Sequence, residues 1–154
     1  GFNKSNTGKK LVIVGNFTDS GYEKELRPMI EESGGKIYLT GGIYDRYALD
    51  MLRQHAFSAF HGHSAGGTNP ALLEAMAMPM NVIAHGNEFN QYVLDENVED
   101  MFNDSQELAE IIDRLENKPE VIALKKTRNR ERAIEQYSWK ECLEKHEAVL
   151  GKRD

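Results

Sequence analysis

Short apolar runs alternate with helical stretches along most of this chain, and that alternation limits the fold more than any other feature of the sequence. Lys10-Leu11-Val12-Ile13-Val14-Gly15 is a β-branched run stopped by glycine, the pattern of a strand buried on both faces. A helical stretch from about Gly21 to Ser33 ends at Gly34-Gly35, and Lys36 to Thr40 gives a second strand before the Gly41-Gly42 turn. Tyr44 to Gln54 has helical spacing. Phe57 to His61 reads as a third strand, Asn81 to Ala84 as a fourth, and Val98 to Phe102 as a weaker fifth. From Ser105 onward the pattern is helical, with Asp104 or Ser105 capping one helix, Pro119 opening the next and Ser138 capping a last one. Strands that alternate with helices predict an α/β fold with a parallel sheet flanked by helices. Ligands of such sheets bind beyond the strand C-termini.

At 154 residues the chain suits a single domain, residues 1–154, able to bury a core without disulfides. The lone Cys142 has no partner within the chain, which fits a reducing compartment. No apolar run reaches the length of a membrane span and no secretory leader opens the sequence, so a cytoplasmic location is expected. The formal net charge of −6 argues against general nucleic-acid binding, which needs a basic face. One basic run, Lys125 to Arg132, reads either as the solvated face of a helix or as a contact with an anionic membrane surface.

The segment with the most chemistry joins the third strand to an apolar helix, from His61 to Ala77. Asn69 or Thr68 caps that helix and Pro70 fits its first turn, so the helix N-terminus, with unpaired N–H groups and the positive dipole end, faces the Gly66-Gly67 loop. A diphosphate suits such a place. Glu74 is the only ionisable side chain between Pro70 and Met80, and a buried charge requires dedicated donors, for which ligand hydroxyls would serve. Gly62-His63-Ser64-Ala65-Gly66 also matches the Gly-x-Ser-x-Gly nucleophile elbow of serine hydrolases. An elbow starts its helix directly after the serine, however, whereas the cap and Pro70 start this one several residues later. The only histidine beyond His85 is His146, in an expected terminal helix rather than a catalytic loop. His61 and His63 share a strand face, but no further Cys, Asp or His completes a metal site.

These residues resemble a family, the nucleotide-sugar-dependent retaining glycosyltransferases of GT-B fold, in their C-terminal, donor-binding half. The family shows a glutamate-glycine-phenylalanine-glycine loop, a leucine-glutamate-alanine-methionine-alanine helix and a proline-valine-isoleucine-alanine strand. Here stand Gly66-Gly67-Thr68-Asn69, Leu73-Glu74-Ala75-Met76-Ala77 and Met80-Asn81-Val82-Ile83-Ala84. The His-Gly-His-Ser-x-Gly-Gly-Thr-Asn-Pro form is similar to a bacterial rhamnosyltransferase-like branch that serves surface-polysaccharide assembly. Leu11 to Gly15, Ile37 to Ile43 and Gln136-Tyr137-Ser138-Trp139 resemble further family segments.

The resemblance implies a Rossmann-like donor-binding domain that takes a nucleotide-diphosphate sugar as donor substrate, with no cofactor and no metal. Glu74 would accept the ribose hydroxyls, the amides of Gly66, Gly67, Thr68 and Asn69 would hold the diphosphate, and the backbone at Ile43 would meet the base. The family's two glutamates lie eight positions apart, and the position eight before Glu74 is Gly66, so the first acid is absent; His63 is the candidate to assume part of its catalytic work. The acceptor, a glycan or lipid-linked sugar, would be bound by an N-terminal domain outside this sequence, and the full-length protein would sit peripherally at the inner face of the membrane. The alternative is a nucleotide-binding or scaffolding module without turnover. The family's first, central strand also lies outside the sequence; the expectation is that the strands around Leu11 to Gly15 and Phe57 to His61 close up and pair directly, accompanied by a homodimer.

Overall fold

The computed structural model describes residues 1–17, 21–95 and 100–151. A short 3-10 turn, Phe2–Lys4, precedes β1 (Leu11–Ile13), α1 (Gly21–Glu32), β2 (Ile37–Leu39), α2 (Arg46–His55), β3 (Ala59–His61), α3 (Pro70–Ala77), β4 (Val82–His85), α4 (Glu88–Leu94), β5 (Met101–Phe102), α5 (Ser105–Glu116), α6 (Pro119–Tyr137) and α7 (Trp139–Leu150). The fold is α/β, and every strand pairing is parallel. Val98, at the start of the expected fifth strand, lies outside the described residues; the described part of that strand is Met101–Phe102.

The sheet is in two pieces. β1 pairs with β2, and β3, β4 and β5 pair in that order. The expected direct pairing of β1 with β3 does not occur. Burial follows the same division. Val82 and Ala84 face one apolar cluster with Leu72 and Met76 of α3, Val93 and Leu94 of α4 and Ala133 of α6. Ile83, on the opposite face, joins a second cluster with Ile111, Ile112 and Leu115 of α5 and Ile122 of α6. That is the alternation a strand covered on both sides requires. Among the described residues no fully buried apolar side chain precedes Leu72. β1 is therefore not buried on both faces as its β-branched run suggests: Val12 is 38 % and Val14 36 % exposed, and among the described residues β1 pairs only with β2.

The helix ends form where local chemistry dictates. Asp45, Asn69, Asp104 and Ser138 each accept a hydrogen bond from the first turn of the helix they precede, and Pro70 and Pro119 occupy first-turn positions where a missing N–H costs nothing. α4, capped by Asn87, is an additional helix that the alternation of runs did not predict.

The basic run is only in part a solvated face: Thr127, Arg128, Arg130 and Glu131 are exposed, and Lys125, Lys126, Asn129 and Arg132 turn inward. On α6, Lys125 is buried and its Nζ lies 2.5 Å from Asp100 Oδ2, while Arg114 of α5 approaches Asp100 Oδ1 at 2.8 Å. Lys126 donates to the carbonyl of Ala56, Asn129 donates to the carbonyl of Met80, and Arg132 donates to the carbonyls of Val93 and Tyr92 and pairs with Asp95. Lys125, Asn129 and Arg132, four and then three residues apart, form one inward stripe with Lys126 beside it. Lys125, Lys126 and Arg132 are committed inside the fold, while Arg128 and Arg130 stay on the surface. No helix among the described residues is long and apolar enough to cross a membrane.

Breaking a buried ion pair by removing one partner costs about 3–5 kcal/mol, since the remaining charge stays desolvated. Asp100→Ala is expected to lower unfolding stability by about that amount in urea denaturation. A loss below about 1 kcal/mol would show that Asp100 does not hold α5 and α6 together.

Candidate functional site

The loop of residues 62–69 leaves the C-terminal end of β3 and enters α3, and all of it is exposed apart from the half-buried Asn69. Gly66 has φ of +118°, a conformation closed to residues with a Cβ at ordinary cost. Any residue with a Cβ, an acid included, would be strained on this backbone.

Asn69 controls the start of α3. Its Oδ1 accepts from the N–H of Ala71 at 2.9 Å, and its carbonyl accepts from Leu72 and Leu73. Pro70 has no N–H to offer. The first-turn donors expected to face an anion are therefore already used within the helix. The free donors lie one step earlier: among the described residues the backbone N–H groups of Gly66, Gly67, Thr68 and Asn69 donate to no protein acceptor. Successive backbone N–H groups are the donors from which anion-binding concavities are built.

The loop is held from behind by a helix start that sequence reasoning missed. The carbonyl of His63 accepts from Asn87 Nδ2 at 2.7 Å and from Asn90 Nδ2 at 3.2 Å, and Asn90 Nδ2 also reaches the carbonyl of His85 at 2.9 Å. Asn87 simultaneously caps α4 through the N–H of Asn90. Asn87-Glu88, a capping residue followed by an acid, was the available signal. His63 itself stands exposed in the loop, its ring stacked on His61 with centroids 4.7 Å apart. His61 is only 6 % exposed, and its Nε2 has no hydrogen-bond partner among the described residues. Burial, and secondarily the neighbouring His63 charge, hold the His61 pKa below its usual 6.5.

Glu74 departs from expectation. α3 turns Leu72, Ala75 and Met76 inward and Glu74 outward, leaving its side chain 56 % exposed. Its dedicated donor is a protein group: Arg53 Nη2 of α2 lies 2.6 Å from Glu74 Oε2. Oε1 accepts no hydrogen bond among the described residues. Ile43 is half-buried in the loop between β2 and α2, a loop tied to the segment after β1 by Asn16, which accepts from the N–H of Gly42 at 2.9 Å and donates to the Tyr44 hydroxyl at 2.6 Å. The structure thus brings His63, Gly66, Gly67, Thr68 and Asn69 into one loop, with Glu74 a turn further along α3. No hydrogen bond among the described residues joins the Ile43 loop to them.

Ser64 is not on an elbow, since the helix after it begins only at Pro70. Among the described residues no three His, Cys, Asp or Glu side chains gather as metal ligands. A separate groove of about 180 Å³ lies between α1 and β2, lined by Phe17, Leu26, Ile30 and Leu39. No protein-family model matches the chain, and no curated protein matches it.

A histidine whose folded pKa lies below its unfolded value binds fewer protons when folded, so its contribution is complete above about pH 6.5 and lost as pH falls toward the folded pKa. Thermal melts are expected to show Tm falling on acidification through this window, with a shallower slope in His61→Leu. Identical slopes in the two proteins would remove His61 as the source.

Proposed function

We propose that this chain is the Rossmann-like, donor-binding half of a GT-B glycosyltransferase, binding a nucleotide-diphosphate sugar for transfer to a growing bacterial surface glycan. The observation that carries the reading is the run of free, exposed amides from Gly66 to Asn69 between the C-terminal end of β3 and the start of α3. Ligands of parallel α/β sheets bind at this end of the strands. The sequence resemblance supplies the class of ligand.

In this reading the amides of Gly66, Gly67, Thr68 and Asn69 neutralise the diphosphate as it leaves, with no call on a metal. The imidazole of His63 reaches the same loop and stabilises the leaving oxygen, by a hydrogen bond or by transferring a proton. Arg53 fixes one carboxylate oxygen of Glu74 and leaves Oε1 for the ribose hydroxyls. The backbone at Ile43 receives the base. Transfer itself requires the acceptor-binding domain, and retention of configuration comes from the family resemblance alone.

The backbone at Gly66 favours a second reading, a nucleotide-binding module without turnover. Its left-handed φ excludes the first acid of the family from that position, leaving His63 as the only candidate for that acid's work.

Calorimetry with UDP, dTDP and GDP tests the shared premise. At least one should bind the 154-residue chain, and Glu74→Gln should weaken that binding by roughly 1.5–3 kcal/mol, the value of a hydrogen bond to a charged group. Equal affinity in wild type and variant would remove Glu74 from the site, and no binding of any of the three would overturn the nucleotide reading.

A further inference from the structure

At His61 the fold carries a polar group that it does not satisfy. His61 ends β3, is 6 % exposed, and its Nε2 is buried with no hydrogen-bond partner among the described residues. An unsatisfied buried nitrogen lowers stability, and leucine or phenylalanine would present no such atom. Locally unfavourable choices of this kind are what functional positions show. Two other buried atoms lack partners among the described residues, Asn81 Oδ1 and His85 Nδ1. Asn81 precedes β4 and so lies at the opposite end of the parallel strands, and His85 pairs in register with Phe102 on the face that α5 covers.

The position of His61 in the sheet sets its ring beneath the residue 62–69 loop. Side chains of residues paired in register on neighbouring strands point to the same face. The register partner of His61 is Ala84, which faces the cluster formed with Leu72 and Met76 of α3 and Val93 and Leu94 of α4. His61 therefore lies on the face that α3 covers, at the end of β3 from which the loop departs for α3. Above it the loop is exposed from Gly62 to Thr68, and the amides of Gly66 to Asn69 donate to no protein acceptor among the described residues. The His63 imidazole lies against the His61 ring, stacked with 4.7 Å between centroids. Stacking occupies the face of a ring, whereas an imidazole N–H bonds in the ring plane, so His63 leaves Nε2 unanswered. Asn87 and Asn90 hold His63 through its backbone carbonyl, which leaves its exposed imidazole able to swing aside.

We infer that His61 is a buried anion-binding residue of this loop: when the loop amides take a diphosphate, the His63 ring moves off and the Nε2–H of His61 donates to a phosphate oxygen from beneath. That donor exists in the neutral Nε2–H tautomer and in the imidazolium alike. The ligand then receives backbone N–H groups from the loop and a ring N–H from the end of the strand. The orphan nitrogen gains its partner only in the bound state, at a depth where little water competes for the bond. The inference rests on the diphosphate reading of the loop and adds to it a side chain which that reading leaves out.

Inorganic pyrophosphate titrated into the 154-residue chain tests the inference and its premise separately, with the ring ¹⁵N resonances of His61 and the amides of Gly66 to Asn69 followed together. Binding should move the four amides and the His61 Nε2 resonance in parallel, and the His63 ring protons should shift as the stack opens. His61→Phe keeps a stacking ring without the nitrogen and should weaken pyrophosphate binding about tenfold or more, the loss of a hydrogen bond to a charged group. Glutamine places an amide N–H near the position of Nε2, and asparagine near that of Nδ1. His61→Gln should therefore bind within about threefold of wild type, and His61→Asn as weakly as His61→Phe. In the wild-type protein, amides that shift while Nε2 stays still would overturn the inference and leave the diphosphate reading standing. So would wild-type affinity in His61→Phe, or tighter binding by His61→Asn than by His61→Gln. Pyrophosphate that moves none of these resonances would overturn the diphosphate reading and the inference with it.

Discussion

The carboxylate of Asp100 is the point on which the rest of the structure hangs. Placed just before β5 and almost wholly buried, it is neutralised from two helices at once, by Arg114 of α5 and Lys125 of α6. A buried charge without such partners would be prohibitive, so the pair fixes the relative position of the sheet and both helices more than it adds net stability. From that anchor α6 runs across the molecule, and its inward stripe closes other elements. Lys126 satisfies the carbonyl at the end of α2, Asn129 holds Met80 ahead of β4, and Arg132 satisfies carbonyls in the last turn of α4.

The candidate site lies at the far end of that series of contacts. With the end of α4 held by Arg132, its start presents Asn87 and Asn90 to the carbonyl of His63, and the residue 62–69 loop takes its course from there. The loop is exposed from Gly62 to Thr68, and among the described residues its hydrogen bonds lie at its two ends, the His63 carbonyl on α4 and Asn69 at the start of α3.

What could be read from the sequence was local. Asn69, Asp104, Ser138 and the two helix-opening prolines announce their helices because a cap or a first-turn proline acts within a few residues. The first four strands were legible from their short apolar runs to within a residue or two. What could not be read depended on distant partners. Lys125, Lys126 and Arg132 look like part of a charged surface until Asp100, the Ala56 carbonyl and the end of α4 are brought against them. Glu74 looks like a buried acid in an apolar helix, yet its angular position turns it outward to meet Arg53. Leu11 to Val14 has the composition of a central strand and the exposure of an edge, a mismatch that only the sheet order explains. α4 escaped notice because it is short and mostly polar, although it steadies the loop.

The most direct measurement is a ¹H–¹⁵N correlation spectrum of the chain titrated with UDP, dTDP and GDP in turn. A diphosphate held by loop amides shifts the resonances of Gly66, Gly67, Thr68 and Asn69 together and in saturable fashion, with smaller changes at Leu72 and Leu73, whose N–H groups are already bonded to Asn69. Saturable shifts confined to another surface, such as the groove between α1 and β2, with the four loop amides unmoved, would contradict the assignment of this loop as the diphosphate site.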